Sequence, residues 1–242
     1  MRQDDSDWVN DLYAAGARDC TPASARHAAQ TLYAPVSSDP EVSRRCASVL
    51  SDAELHRAER LTTDDGKAQF KQRRAFRRYC GALALGSARP LSRIDFEATD
   101  NGRPCLPGLP GVWFSFAACR TGLLGAWSST HPVGVDLEDR TENLEASALA
   151  RRFFSAAEAQ AVEAAGDAER LQTFMRLWCL KEAALKSIGE GLAVGLDAFQ
   201  FELTPRVRVV HAPAEYGGPE RFAAHPIDGI GCWAALVVRS LH

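Results

Sequence analysis

Polar and apolar positions follow two rhythms along this chain, and the rhythms occur in the same order twice. Helical spacing comes first. Ser51-Asp52-Ala53-Glu54 follows Leu50, and Ser155-Ala156-Ala157-Glu158 follows Phe154. Both have the form of a capping box, in which a Ser oxygen takes a free amide of the first turn and a Glu three residues on reaches back for another. The two stand 104 positions apart. Each precedes a polar, Asp-containing break and a second helical segment opening at Phe70 or Phe174, again 104 apart. Strand-like runs come after, marked by short alternation or by β-branched and aromatic residues. They are Ile94 to Ala98, Val112 to Phe116, Leu123 to Trp127, Val133 to Leu137, Phe199 to Leu203, Val207 to His211 and Cys232 to Val238. Near them Phe116-Ala117-Ala118 matches Phe222-Ala223-Ala224, and Gly125-Ala126-Trp127 matches Gly231-Cys232-Trp233, both offset by 106.

An echo that keeps its order predicts an α+β fold: two similar α/β halves related by a pseudo-twofold axis, with a cleft between them. The expected boundaries are 48–130 for the first half and 131–242 for the second. Residues 1–47 have no counterpart in the echo; Asp7 to Ala34 reads as a helical extension and Pro35 to Pro40 as a linker.

Composition narrows the function classes. Apolar residues make up 46% of the 242 and charged ones 24%, which argues against disordered, collagen-like and coiled-coil classes. The balance of 28 Lys+Arg against 31 Asp+Glu gives a net charge of −3, so binding of nucleic acid through overall basicity is not expected. Any anion site must be local. The polar, acidic start MRQDDSDWVN and the lack of a long apolar run give the expectation of a cytoplasmic protein that does not enter a membrane. Seven scattered cysteines without a CxxC pair read as reduced thiols.

Candidate chemistry gathers in three places. In Val133-Gly134-Val135-Asp136-Leu137-Glu138-Asp139, strand alternation points Asp136 and Glu138 the same way while Val135 and Leu137 face a core. That pair is either a solvated acidic edge or a hard-cation site, because Mg²⁺ favours carboxylate oxygens. Next, Glu182 and Lys186 stand at i,i+4 and share a helix face with Trp178. Spacing alone favours an ordinary surface ion pair there. Third, Lys71, Arg73, Arg74, Arg77 and Arg78 concentrate positive charge on the first-half helix, as a phosphate site or as a solvated basic face. Gly102-Arg103-Pro104 is a turn by composition, and Gly189-Glu190-Gly191 is a helix terminator and not a phosphate-binding loop. The six histidines are scattered, and no Ser, His and Asp arrangement stands out.

GVDLED, followed 46 residues after Asp136 by the Glu182 of WCLKEAALK, resembles the paired motifs of the 4'-phosphopantetheinyl transferases of the Sfp type, which have two fused halves. The likeness runs from about Leu50 onward through LSDAEL, NGRPCLP, FFSAAE and GEGL. The resemblance implies transfer of the phosphopantetheine arm of coenzyme A to a serine of an acyl or peptidyl carrier protein, and a chain whose two halves supply their own cleft is expected to act as a monomer. By matching positions, Asp136, Glu138 and Glu182 would hold Mg²⁺. Glu182 would take the serine proton, and Lys186 would steady the leaving phosphate. Lys181, the Gly102-Arg103-Pro104 turn and some of Arg73, Arg74 and Arg77 would bind coenzyme A. One stretch departs from the family pattern: where a Ser-His pair is usual the chain has Ala117-Ala118, and Arg120 stands where a small residue is usual. Two further readings therefore stay open: a repurposed enzyme acting on a carrier-bound or coenzyme A-like substrate, and a non-catalytic carrier-protein binder.

Overall fold

The computed structural model describes residues 2–86, 89–140, 144–190 and 194–241, with side chains from residue 7 onward. Gly191 and Leu192 of the GEGL stretch lie outside the described residues.

Both capping boxes form. Ser51 and Ser155 accept from the amides of Glu54 and Glu158, and each Glu carboxylate receives the Ser amide in return. They open α3 (Asp52–Glu59) and α6 (Ala156–Ala164), which lead into two helices of 22 residues each, α4 (Asp64–Leu85) and α7 (Asp167–Ile188). The long helices begin earlier than Phe70 and Phe174, because Thr63 and Gly166 serve as their N-caps.

The segment 1–47 is not an extension. Helix α1 (Arg2–Gly16) stops at Gly16, and β1 (Arg18–Asp19) and β2 (Gln30–Pro35) follow as strands of the first sheet, with α2 (Pro40–Ala47) after them. Val9, Tyr13, Ala34, Val42 and Cys46 share one core with Phe76, Leu91, Ile94, Phe114 and Leu123. Without residues 1–47, that core would lose one wall.

The first sheet has the order β1-β2-β6-β5, where β5 is Trp113–Ala118 and β6 is Gly122–Ser128. The second has the order β10-β11-β7, made of β10 (Phe222–Pro226), β11 (Trp233–Arg239) and β7 (Val133–Glu138). All their pairings are antiparallel. Two ribbons complete the strands: β3 (Glu97–Ala98) with β4 (Pro104–Cys105), and β8 (Gln200–Glu202) with β9 (Arg208–His211). The expected strand from Ile94 shrinks to Glu97–Ala98, since Leu91–Arg93 winds into a 3₁₀ turn. Helix α5 (Ala146–Phe153) precedes α6.

Alternation along the strands then fixes the layers. On β6, Leu123 and Trp127 face the α4 core, whereas Leu124 and Ala126 join Val133, Val135, Leu137, Leu236 and Val238 in a core between the two sheets. Ala235 and Val237 of β11 face α7 with Phe174, Leu177 and Leu180. The stack runs helix, sheet, sheet, helix, and the halves meet through the middle core. A hydrogen bond of 3.0 Å from the Val135 amide to the Ser115 hydroxyl ties β7 to β5 across it. The 106-residue echo falls on corresponding strands but out of step. Trp127 is the sixth residue of seven-residue β6, whereas Trp233 is the first of β11.

Candidate functional site

The face of β7 that carries Asp136 and Glu138 meets α7, and a glycine brings them together. A Cβ on Gly134 would stand 1.9 Å from the Ala183 carbonyl oxygen and 2.5 Å from the Ser187 amide, so the helix backbone lies directly on the strand. No larger residue leaves room for that approach. Helical spacing then projects Glu182 and Lys186, one turn apart, toward the strand's acids.

Lys186 Nζ lies 2.7 Å from Asp136 Oδ1. The other oxygen, Oδ2, is buried without a hydrogen-bond partner. Burial, and after it the Asp136 charge, raises the pKa of Glu138; the Trp178 indole and Lys186 pull it the other way. Burial raises Glu182 as well, followed by Asp136, with Lys186 opposing. Burial is the larger cause for both, and the neighbouring Asp136 charge adds to it, as in a cluster short of positive charge. Hard oxygen donors, one orphaned buried oxygen and mutual repulsion suit a Mg²⁺ ion. The acids are nonetheless set apart: among the described residues, the trio whose ligand atoms all lie within 4.8 Å of one another is Cys119, Asp139 and Cys232.

Lys186 also lines a cleft of about 380 Å³ between the halves, together with Arg74 and Arg77 of α4, Asn101 to Pro104 of the β3–β4 turn, Phe114 to Phe116 of β5, and Gly189. The Arg77 guanidinium stacks over Phe116 at 5.1 Å. Burial, then the Arg74 and Arg73 charges, lowers its pKa to about 10. Three neighbouring cations with few carboxylates to neutralise them concentrate positive charge locally in a chain of net negative charge. Arg74 lies 3.6 Å from Glu54. Arg73 donates to Gln69 at 3.1 Å and leaves a buried Nε unpartnered. With Arg77, Phe116, Ala117 and Ala118 it lines an adjoining cavity of about 160 Å³.

Arg103 crosses to the other half. Its guanidinium donates to the Ser187 carbonyl at the end of α7, where the helix macrodipole favours a cation. It lies flat on Gly189, whose φ of +78° ends the helix and whose absent Cβ would fall 1.8 Å from Arg103 Nε. Burial and the Arg239 charge lower the Arg103 pKa.

One expected contributor lies elsewhere. Lys181 has no solvent exposure. Its Nζ is 2.7 Å from Glu158, 2.9 Å from the Leu196 carbonyl, and bonded to the Phe199 carbonyl as well. Consecutive helix residues point about 100° apart, so Lys181 does not share the helix face on which Glu182 and Lys186 lie. It is a core cation, not a coenzyme A contact. Arg120, which departs from the family pattern, is exposed in the β5–β6 turn and is not among the residues that line the cleft. Another cavity, about 790 Å³, lies between α6, α7 and β8; like the lining of the cleft, its lining includes none of the three acids.

Residues 132–224 match the model of the 4'-phosphopantetheinyl transferase superfamily. The 4'-phosphopantetheinyl transferase HetI of Nostoc sp. strain PCC 7120 is 30% identical over 162 residues, 66% of this chain and 67% of the relative. The chain belongs to this family. 4'-Phosphopantetheinyl transferase Sfp of Bacillus subtilis is 34% identical over 112 residues, 46% of this chain and 49% of its own length. Psf-1 of Bacillus pumilus is 36% identical over 119 residues, 48% and 49% of the two chains. The chain thus spans about half the length of those two phosphopantetheinyl transferases. The matched family segment contains β7 and α7, and with them Asp136, Glu138, Glu182 and Lys186.

Gly134 and the Glu158–Lys181 pair escape a reading based on motif chemistry. The signal for the pair was present: Arg78 and Lys181 stand 103 residues apart, and the capping-box acids Glu54 and Glu158 stand 104 apart.

Proposed function

We propose that this protein transfers the 4'-phosphopantetheine arm of coenzyme A to a serine hydroxyl of an acyl or peptidyl carrier protein, with Mg²⁺ held by Asp136, Glu138 and Glu182. The observation that carries the reading is the juxtaposition of this acidic floor, through Lys186, with the arginine-lined cleft. A bound divalent cation would neutralise charge on the diphosphate and on the departing phosphate ester.

The chain's own residues divide the remaining work. Arg77, Arg74 and Arg103 hold phosphate groups at the cleft wall, and the Gly102-Arg103-Pro104 turn aims the last of them. Glu182, whose burial raises its proton affinity, accepts the proton of the incoming serine hydroxyl. Lys186 leaves Asp136 to stabilise charge on the leaving phosphate. Ala118 beside Arg73 and Arg77 supplies no hydrogen bond, so the arginines carry the binding of the nucleotide phosphates. A repurposed enzyme acting on a coenzyme A-like substrate draws on that same feature.

Incubation with coenzyme A, Mg²⁺ and an apo carrier protein, read by mass spectrometry, tests the proposal. The expected product is a carrier bearing the arm on one serine. Absence of the adduct across several carriers would leave the repurposed reading ahead. The Ala118→His substitution should tighten coenzyme A binding if the missing imidazole matters at that cavity.

A further inference from the structure

The middle core, where the halves meet, contains a pair of thiols that the proposed transfer does not use. Cys119 ends the β5 side of the hairpin turn, and Cys232 immediately precedes β11. They belong to different halves, 113 residues apart in sequence, and their sulfurs lie 3.7 Å apart. Both are buried, at 7% and 4% exposure, beneath a turn whose Arg120 and Thr121 are exposed. The Thr121 hydroxyl is 3.4 Å from Cys232 Sγ and 3.6 Å from Cys119 Sγ, and it donates to Asp139 at 2.5 Å.

That hydroxyl decides between two uses of the cluster. The two sulfurs and the Asp139 carboxylate have the spacing of a three-ligand cation site. Asp139, however, is already engaged by the Thr121 hydroxyl, by the amides of Arg120 and Thr121 and by Cys119, and the same hydroxyl contacts both sulfurs. The two sulfurs contact each other directly. From 3.7 Å, the sulfurs must approach by about 1.65 Å to reach the roughly 2.05 Å of a disulfide.

We infer that Cys119 and Cys232 form a reversible disulfide that staples the two halves together when the protein meets hydrogen peroxide. Cys232 is the attacking sulfur. Cys119 Sγ, 3.7 Å away, is placed to donate to it, and that hydrogen bond, with one from Tyr33, works against burial to hold the Cys232 pKa below the ordinary thiol range and favours the thiolate, the reactive form. The thiolate attacks one peroxide oxygen, breaking the O–O bond, to give a sulfenic acid and hydroxide, which takes up the proton Cys232 released and leaves as water. Cys119 then attacks that sulfur, its proton leaves with the sulfenic oxygen as a second water, and the S–S bond forms. Two thiols lose two electrons and one peroxide becomes two waters. The staple lies one residue before Trp233, which pairs with Glu138 in the sheet, so it fixes the strand beside the acidic floor.

Peptide mapping of the full-length, reduced protein after graded peroxide treatment tests this. Free thiols are capped with N-ethylmaleimide under denaturing conditions. The expected result is one cross-linked pair containing Cys119 and Cys232, lighter by two hydrogens, restored by dithiothreitol, and formed before Cys46, Cys80 or Cys179 is modified. Cys119→Ser should instead leave a sulfenic acid on Cys232 that dimedone captures, and Cys232→Ser should leave Cys119 unmodified. Both thiols remaining free at doses that oxidise the less buried Cys20 and Cys105 would overturn the inference. So would purified protein carrying one zinc per chain, with both thiols inert until EDTA removes it. The wild-type mapping decides the matter even if a serine variant folds poorly.

Discussion

The two halves repeat one structural device and differ in what they build on it. In the first, the capping-box acid Glu54 lies 2.8 Å from Arg78 of α4; in the second, Glu158 lies 2.7 Å from Lys181 of α7. Each pair joins a short helix start to the buried side of the long helix that follows, at corresponding positions. Each cation is almost fully buried, at 2% for Arg78 and 0% for Lys181. The halves diverge one residue later. Where α4 has Tyr79 and, a turn on, an exposed Leu83, α7 has Glu182 and Lys186. Cys80 of α4 rests on Gly125 of β6 through its side chain, whereas α7 rests its backbone on Gly134 of β7. The paired frame provides stability, and the closer helix–strand approach in one half brings charged side chains against the acids of β7. Cations from the other half, Arg74 and Arg77, complete the cleft.

Removing Glu158 should hurt most. Glu158→Ala strands Lys181 in the core and takes a hydrogen bond from the Phe201 amide, a loss on the order of 3–5 kcal/mol by denaturant unfolding. Glu54→Ala should cost less, roughly 1–3 kcal/mol, because Arg78 retains Asp95. Equal losses would mean that the pairs are not built on the same plan. Gly134→Ala drives a methyl into the α7 backbone and should cost about 1–3 kcal/mol, with transfer activity falling further than stability. Normal activity in that variant would show that α7 has slack over β7.

The acids should behave oppositely. Glu138 and Glu182 hold their protons more tightly in the folded chain than the ordinary value of 4.5 implies. They therefore favour the folded state below that value, and the contribution is lost as pH rises through the raised folded value. At neutral pH Glu138→Gln should raise the melting temperature of metal-free protein while weakening Mg²⁺ binding. A lowered melting temperature would contradict the repulsion described for this cluster. Leu83→Lys, at the exposed position corresponding to Lys186, should change stability by less than about 0.5 kcal/mol and leave transfer unchanged.

Much of this organisation is legible from the chain because local rules and tertiary structure agree there. The capping boxes, the β5–β6 hairpin and the alternation that sets Asp136 and Glu138 on one face of β7 all carry strong short-range signals. β2 does not. Gln30–Pro35 is a six-residue strand after an irregular stretch, and only pairing with β6 reveals it. Lys181 reads as a site residue because it adjoins Glu182, yet one step around a helix turns a side chain from the acids of β7 into the core. Among the basic residues of α4, composition cannot tell Arg78, which is itself buried and paired with two acids, from Arg77, whose guanidinium lies over Phe116 at the cleft.

Electron paramagnetic resonance of Mn²⁺, titrated into protein with coenzyme A present, measures the acidic floor most directly. The expected result is one bound ion per chain, displaced by Mg²⁺, with affinity sharply reduced in Asp136→Asn and in Glu182→Gln. Undiminished binding in both variants would contradict the assignment of these side chains as the cation's ligands.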